Sequence, residues 1–275
     1  MKLKLFRLLF LIFIIGNTLV IGQEIEQFQV FAGRFDYLAI GNTLNAAENG
    51  TGEPCVLLPQ SSATLNLDPG QNVIAAYLYW AGSGDGDFDV TLNNTPITAE
   101  RTFNNTVLSA NPAIPPRTFF AAFADVTDMV IDAGSVEYTF GGVEDVDLSP
   151  LYCLTGTNFS GWSIVIVYED MDLPLNQVNV FDGLESVSGS GVNTLSFTLN
   201  DLNVVDNDGA KIGFLAWEGD REIRVDETLR INGNLLGNPP LNPFRNQFNG
   251  TNTFTGSDQL FNMDIDVYDL SLIHI

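Results

Sequence analysis

Basic residues nearly vanish from this chain after its first 22 positions. Eight of them stand against 34 acidic residues there, a net of −26, and Lys211 is the only lysine. A surface of that sign repels phosphate backbones and anionic lipid, which excludes nucleic acid as a partner. Histidine is scarcer still, with His274 alone and next to the end. A Ser–His–Asp triad or a thiol–imidazole pair therefore has no usable base. The chain also lacks a run long enough for a membrane helix. Its uncharged stretch near the start, residues 8–22, is 15 residues, short of the roughly 20 that span a bilayer. Helical periodicity is missing from almost the whole chain, and cysteine is limited to Cys55 and Cys153.

The opening segment has a different character. Lys2, Lys4 and Arg7 precede an unbroken apolar run, LLFLIFII, and Val20-Ile21-Gly22 then supplies small or modest residues before Gln23. This is the layout of a secretory signal, so residues 1–22 are expected to be removed and the mature chain to work outside the cytoplasm. An uncleaved anchor is the alternative. In an oxidising space an isolated cysteine pair is most simply a disulfide, Cys55–Cys153, with two buried thiols as the alternative. The acidity suits a soluble extracellular protein, a divalent-cation binder, or solvation alone.

Hydrophobic residues make up 45% of the chain and the mean hydropathy is +0.13. With 20 Phe, 7 Tyr and 3 Trp, the chain has the material for a packed core and is not disordered. The periodicity is two. Residues 73–80 (VIAAYLYW) and 162–168 (WSIVIVY) are apolar throughout, as expected of central strands covered on both faces. That makes Tyr77, Tyr79, Trp80 and Trp162 core residues. Residues 88–92 and 97–103 read as a hairpin turning at Asn93-Asn94-Thr95-Pro96. Further strands are expected at 117–123, 135–140, 177–181, 193–199, 211–217, 222–231 and 260–268, with one helical turn at 125–131. More than ten short strands imply an all-β protein, a β-sandwich or jelly roll. One domain over residues 23–275 is expected, with a division near Asn200 as the alternative. Residues 264–269 read as a strand still in progress where the sequence stops, which suggests C-terminal truncation.

Three acidic turns could carry chemistry. Asp85, Asp87 and Asp89 alternate in a Gly-rich loop and are candidate Ca²⁺ ligands. They do not form an EF-hand, whose Gly and Glu positions hold Val90 and Pro96 here. Glu144-Asp145-Val146-Asp147 and Asp206-Asn207-Asp208-Gly209 are similar, and Asx residues also favour turns for purely local reasons. If such loops converge, their mutual repulsion calls for a cation. Glu169-Asp170 and Glu218 follow strands, and Glu218 follows Trp217, so a glycosidase-like carboxylate pair is conceivable although no spacing fixes one. Trp217 is the aromatic best placed to stack on a sugar. Sequons at Asn49, Asn93, Asn104, Asn158 and Asn249 mark expected surface turns.

Four stretches, FDYLAIGNTLN, VIAAYLYWAGSGDGDFDVTLN, GWSIVIVYEDMDLPLNQVNVFDG and KIGFLAWEGD, resemble the N-terminal region of large secreted adhesin-like proteins of flavobacteria and their relatives. Proteins of that kind usually end in a gliding-motility-associated or type IX secretion sorting domain. The resemblance implies an exported β-domain at the cell surface, adhesive or structural, meeting surface glycans or proteins. It transfers no catalytic residue. A carbohydrate-binding or glycan-processing module is the alternative.

Overall fold

The computed structural model describes residues 23–50, 55–109, 111–189, 191–200, 202, 209–221 and 226–270. The expected leader, the turn at 206–208, the first four residues of the expected 222–231 strand and the end of the chain at 271–275 lie outside the described residues. In chain order the first strands are β1 (Gln23–Gly33), β2 (Phe35–Thr43), β3 (Gln60–Thr64), β4 (Asn72–Ser83), β5 (Asp89–Leu92) and β6 (Thr95–Thr98). Next come β7 (Arg101–Val107), β8 (Arg117–Asp125), α1 (Thr127–Ala133), β9 (Glu137–Gly141), α2 (Pro150–Cys153) and β10 (Ser160–Glu169). The chain continues through β11 (Asn176–Leu184), β12 (Lys211–Trp217), β13 (Arg230–Ile231), β14 (Asn234–Leu235) and β15 (Met263–Asp269). The fold is an all-β, sandwich-like assembly of antiparallel sheets.

A five-stranded sheet, β2-β10-β4-β8-β7, forms the middle layer. Successive side chains of a strand point to opposite faces, and here each face carries its own core. Leu78, Trp80, Ala122, Trp162 and Ile164 point one way, onto Leu92, Tyr138 and Phe140 of the four-stranded sheet β3-β9-β5-β6. Tyr77, Tyr79, Phe123 and Val167 point the other way, onto Phe28, Phe31 and Val178 of the β1–β11 ribbon. The β12–β15 ribbon covers the same side, with Leu215, Trp217, Met263 and Ile265 packed near Ala39 and Val165. Covering on both faces explains why β4 and β10 carry no polar alternation.

Size complementarity fixes the middle of this core. Trp80 lies opposite Trp162 on one side and Ala122 on the other. Both indoles are fully buried, and each N–H donates a hydrogen bond, Trp80 to the Asp87 carbonyl at 2.8 Å and Trp162 to Ser61 Oγ at 2.9 Å. Each large aromatic hides about 150–250 Å² of surface without leaving its donor unpaired.

The hairpin turns where expected. Asn93 and Asn94 adopt φ of 50° and 61°, the left-handed pair that matches strand twist in a two-residue turn. The single strand expected at 97–103 is instead two. β6 stays with the outer sheet, and after Ala99-Glu100 the chain crosses to the middle layer as β7. The helical turn expected at 125–131 is α1, shifted by two residues, with Asp125 accepting the Thr127 N–H at 2.9 Å. The expected strand at 193–199 does not form, and Phe197 is 43% exposed there. It finds no ladder partner among the described residues.

Candidate functional site

At one end of the sandwich, the loop after β4 meets the turn after β9. Asp85, Gly86, Thr118, Glu144, Asp145 and Asp147 line an open pocket of about 450 Å³. Two of the acidic turns singled out in the sequence therefore do converge. Each carboxylate of the expected Ca²⁺ triad nevertheless has its own local partner. Asp85 accepts from Thr118 Oγ1 at 3.1 Å and Asp89 from Thr98 Oγ1 at 2.6 Å. Asp87 accepts the backbone N–H groups of Glu144 at 2.7 Å and Asp145 at 3.3 Å. Asp87 is thus a clasp that holds the two loops together, while its other oxygen accepts the Asp89 N–H at 3.2 Å in the usual Asx manner. Among the described residues no group of three or more His, Cys, Asp or Glu side chains is disposed to hold a metal ion.

The disulfide is formed. Cys55 and Cys153 have Cα atoms 5.7 Å apart and lie 98 positions apart in sequence. The bond ties the segment after β2 to α2. A second acidic site lies at the end of β12.

There Trp217 is half-buried, its ring stacked on Phe159 with centroids 6.2 Å apart and planes at 13°. One face of the indole is therefore occupied by the core. The chain then reverses at Glu218, a non-glycine residue at φ 66°, whose N–H donates to the Asn262 carbonyl at 2.7 Å. A side chain held in this region costs energy, and such residues gather at sites where the surroundings over-determine them.

Three carboxyl groups crowd this turn. Burial, and then repulsion from Asp220, push Glu218 well above the ordinary carboxylate range. Asp220 is pushed up to about 7 by burial and then by Glu48. Glu227 is pushed up to about 7 by burial and then by Asp220, against a favourable N–H from Phe248. Asn262 Nδ2 donates to Asp220 Oδ1 at 3.2 Å, and the Arg221 N–H donates to Glu48 Oε1 at 2.5 Å. Groups held near neutrality can both donate and accept protons, which is what general acid–base chemistry asks of a carboxyl pair. The sequence pointed to Glu218. It gave no signal for Asp220 or Glu227, because loop packing, not spacing, brings them together. Glu169-Asp170 stands apart as a turn, with Asp170 Oδ1 accepting the Asp172 N–H at 2.9 Å.

Two further acids stand in the sequence only as part of a strand. Asp264 and Asp266 on β15 are 1% and 2% exposed. They share one face of the strand, which the 237–251 loop covers. The sequons also need correction. Asn158 and Asn249 are buried, not on surface turns, and both take part in internal hydrogen bonds.

Comparison of the chain with family models, with curated proteins and with solved structures gives no match.

Proposed function

We propose that this chain is an exported β-domain of a bacterial surface protein, with an adhesive or structural role and no catalysis. The observation that carries this reading is the Cys55–Cys153 bond, which belongs with an oxidising compartment and with the leader-like opening. The acidity supports it, since a strongly anionic shell keeps an extracellular protein soluble. In the pocket at the end of the sandwich, Asp85 and Asp87 serve loop architecture, leaving the remaining acidic rim to meet a partner. Beads coated with the mature protein should adhere to cells or to extracellular matrix, and Cys55→Ser with Cys153→Ser should weaken that adhesion. Beads that behave like uncoated ones would count against an adhesive role.

A second reading is favoured by the carboxyl cluster beside Trp217. Glu218, Asp220 and Glu227 supply the acid–base groups of a glycan-processing module, and Trp217 supplies an aromatic edge. Reducing-sugar release from extracellular polysaccharide, abolished in Glu218→Gln, supports this reading over the first. A glycan array that lights up for the wild type and darkens for Trp217→Ala supports binding without hydrolysis.

A further inference from the structure

Beneath the 237–251 loop lies a knot of oxygen atoms that has too few protons. The Thr251 hydroxyl carries one hydrogen. Within reach of it are Asn249 Oδ1 at 3.1 Å, Asp264 Oδ1 at 3.2 Å and both Asp266 oxygens at 3.3 and 3.2 Å. The Asn242 amide carries two hydrogens. Around its Nδ2 stand Thr251 Oγ1 at 2.7 Å, Asp266 Oδ2 at 2.8 Å, the Gln247 carbonyl at 3.3 Å and Asn249 Oδ1 at 3.4 Å. These side chains are sealed from solvent, with Asn242 0% and Thr251 1% exposed. Meanwhile Asn242 Oδ1 and Asp264 Oδ2 have no donor among the described residues. Unpaired buried acceptors are costly, and a carboxylate among them more so.

A positive ion makes up for the missing protons and gives a turned Asn242 oxygen a partner. Amide oxygen and nitrogen exchange places on a half-turn of the side chain. With Asn242 turned, its Oδ1 takes the place of Nδ2 and faces Gln247 O, Asn249 Oδ1, Thr251 Oγ1 and Asp266 Oδ2, with Asp264 Oδ1 next to Thr251 Oγ1. Six oxygens, two from carboxylates, match the ligand number and type of Ca²⁺. The set has no nitrogen or sulfur donor to favour zinc. Mg²⁺ sheds its waters reluctantly and is not usually held in all-protein cages. We propose that Asn242, Gln247, Asn249, Thr251, Asp264 and Asp266 form a buried Ca²⁺ site that locks the 237–251 loop onto β15. The site is separate from the open acidic pocket at Asp85, and it does not depend on the function proposed above.

The test uses the full exported chain, with Ca²⁺ titrated calorimetrically and Tb³⁺ emission excited through tyrosine. Tyr268 donates to Gln247 Oε1 at 2.8 Å, so it lies close enough to sensitise an ion in the knot. Saturable Ca²⁺ binding is expected, weakened about tenfold or more in Asp266→Asn, because site charge tunes affinity over decades. Sensitised Tb³⁺ emission should fall in Tyr268→Phe, and Ca²⁺ binding should be unchanged in Asp85→Asn. Absence of Ca²⁺ binding overturns the proposal. So does binding that is lost in Asp85→Asn, or Tb³⁺ emission indifferent to Tyr268→Phe. If Asp266→Asn fails to fold, Tyr268→Phe and the wild-type titration still decide.

Discussion

Arg101 and Asp182 join β7 to β11 through a two-point ion pair, with Nη1–Oδ1 at 2.9 Å and Nη2–Oδ2 at 2.5 Å. The guanidinium also lies 3.9 Å from the ring centre of Phe28 and 4.0 Å from that of Phe123. One side chain thus fastens the β1–β11 ribbon to the edge of the middle sheet. Its planar fork serves the carboxylate while its faces serve the rings, a combination that lysine cannot copy.

Arg101→Ala should lower unfolding free energy by about 2 kcal/mol, since Asp182 is left largely buried with no counter-charge and only the Tyr79 hydroxyl donating to it. Arg101→Lys should recover less than half of that loss. Denaturant unfolding curves for the two variants check this, and equal stability of wild type and Arg101→Ala would refute it.

Reduction of Cys55–Cys153 should destabilise the folded chain. A cross-link over 98 positions limits the unfolded ensemble by up to about 4.7 kcal/mol on the chain-entropy account. Thermal melts with and without reductant, or of Cys55→Ser with Cys153→Ser, should show a clear drop in midpoint.

Stability should fall as pH rises through neutrality in chelator-containing buffer. Glu218, Asp220 and Glu227 have folded-state values above the ordinary carboxylate range, the last two at about 7. Between about pH 4 and 7 the folded chain therefore holds more protons than the unfolded one. The stabilising contribution of these groups is complete below the ordinary carboxylate values and is lost as pH climbs past 7. The melting midpoint should be higher at pH 5 than at pH 8, and Asp220→Asn should flatten the difference. A midpoint that rises with pH would reverse the assignment.

Trp217→Ala should cost about 2–3 kcal/mol, because the ring stacked on Phe159 leaves a cavity between the β12–β15 ribbon and the middle sheet. Calorimetric unfolding reads this directly. An unperturbed midpoint would free Trp217 from a packing role and strengthen the sugar-stacking reading.

The layers were legible where burial left an unambiguous pattern. Residues 73–80 and 162–168 announced central strands because both their faces are covered, and β12 matches its expected range residue for residue. Tyr77, Tyr79, Trp80 and Trp162 are core, as their neighbours implied. β1 was hidden because QEIEQFQVFAG is rich in Glu and Gln and pairs with β11, far along the chain. β3, QSSAT, has almost no apolar signal of its own.

The sites were legible in a narrower sense. Asp85 and Glu144 to Asp147 do meet, and Asp87, expected as an ion ligand, also clasps their two loops together. Period two placed Asp264 and Asp266 on one face of β15. It could not say that the preceding loop would fold back over that face, because a strand's pattern distinguishes its two sides without saying what covers each.

Peptide mass spectrometry of the protein recovered from outside the expressing cells, digested without reduction, tests the central claim most directly. A leaderless product starting at Gln23, with the Cys55 and Cys153 peptides linked, is the predicted result. An intact Met1 together with two alkylatable thiols would contradict it.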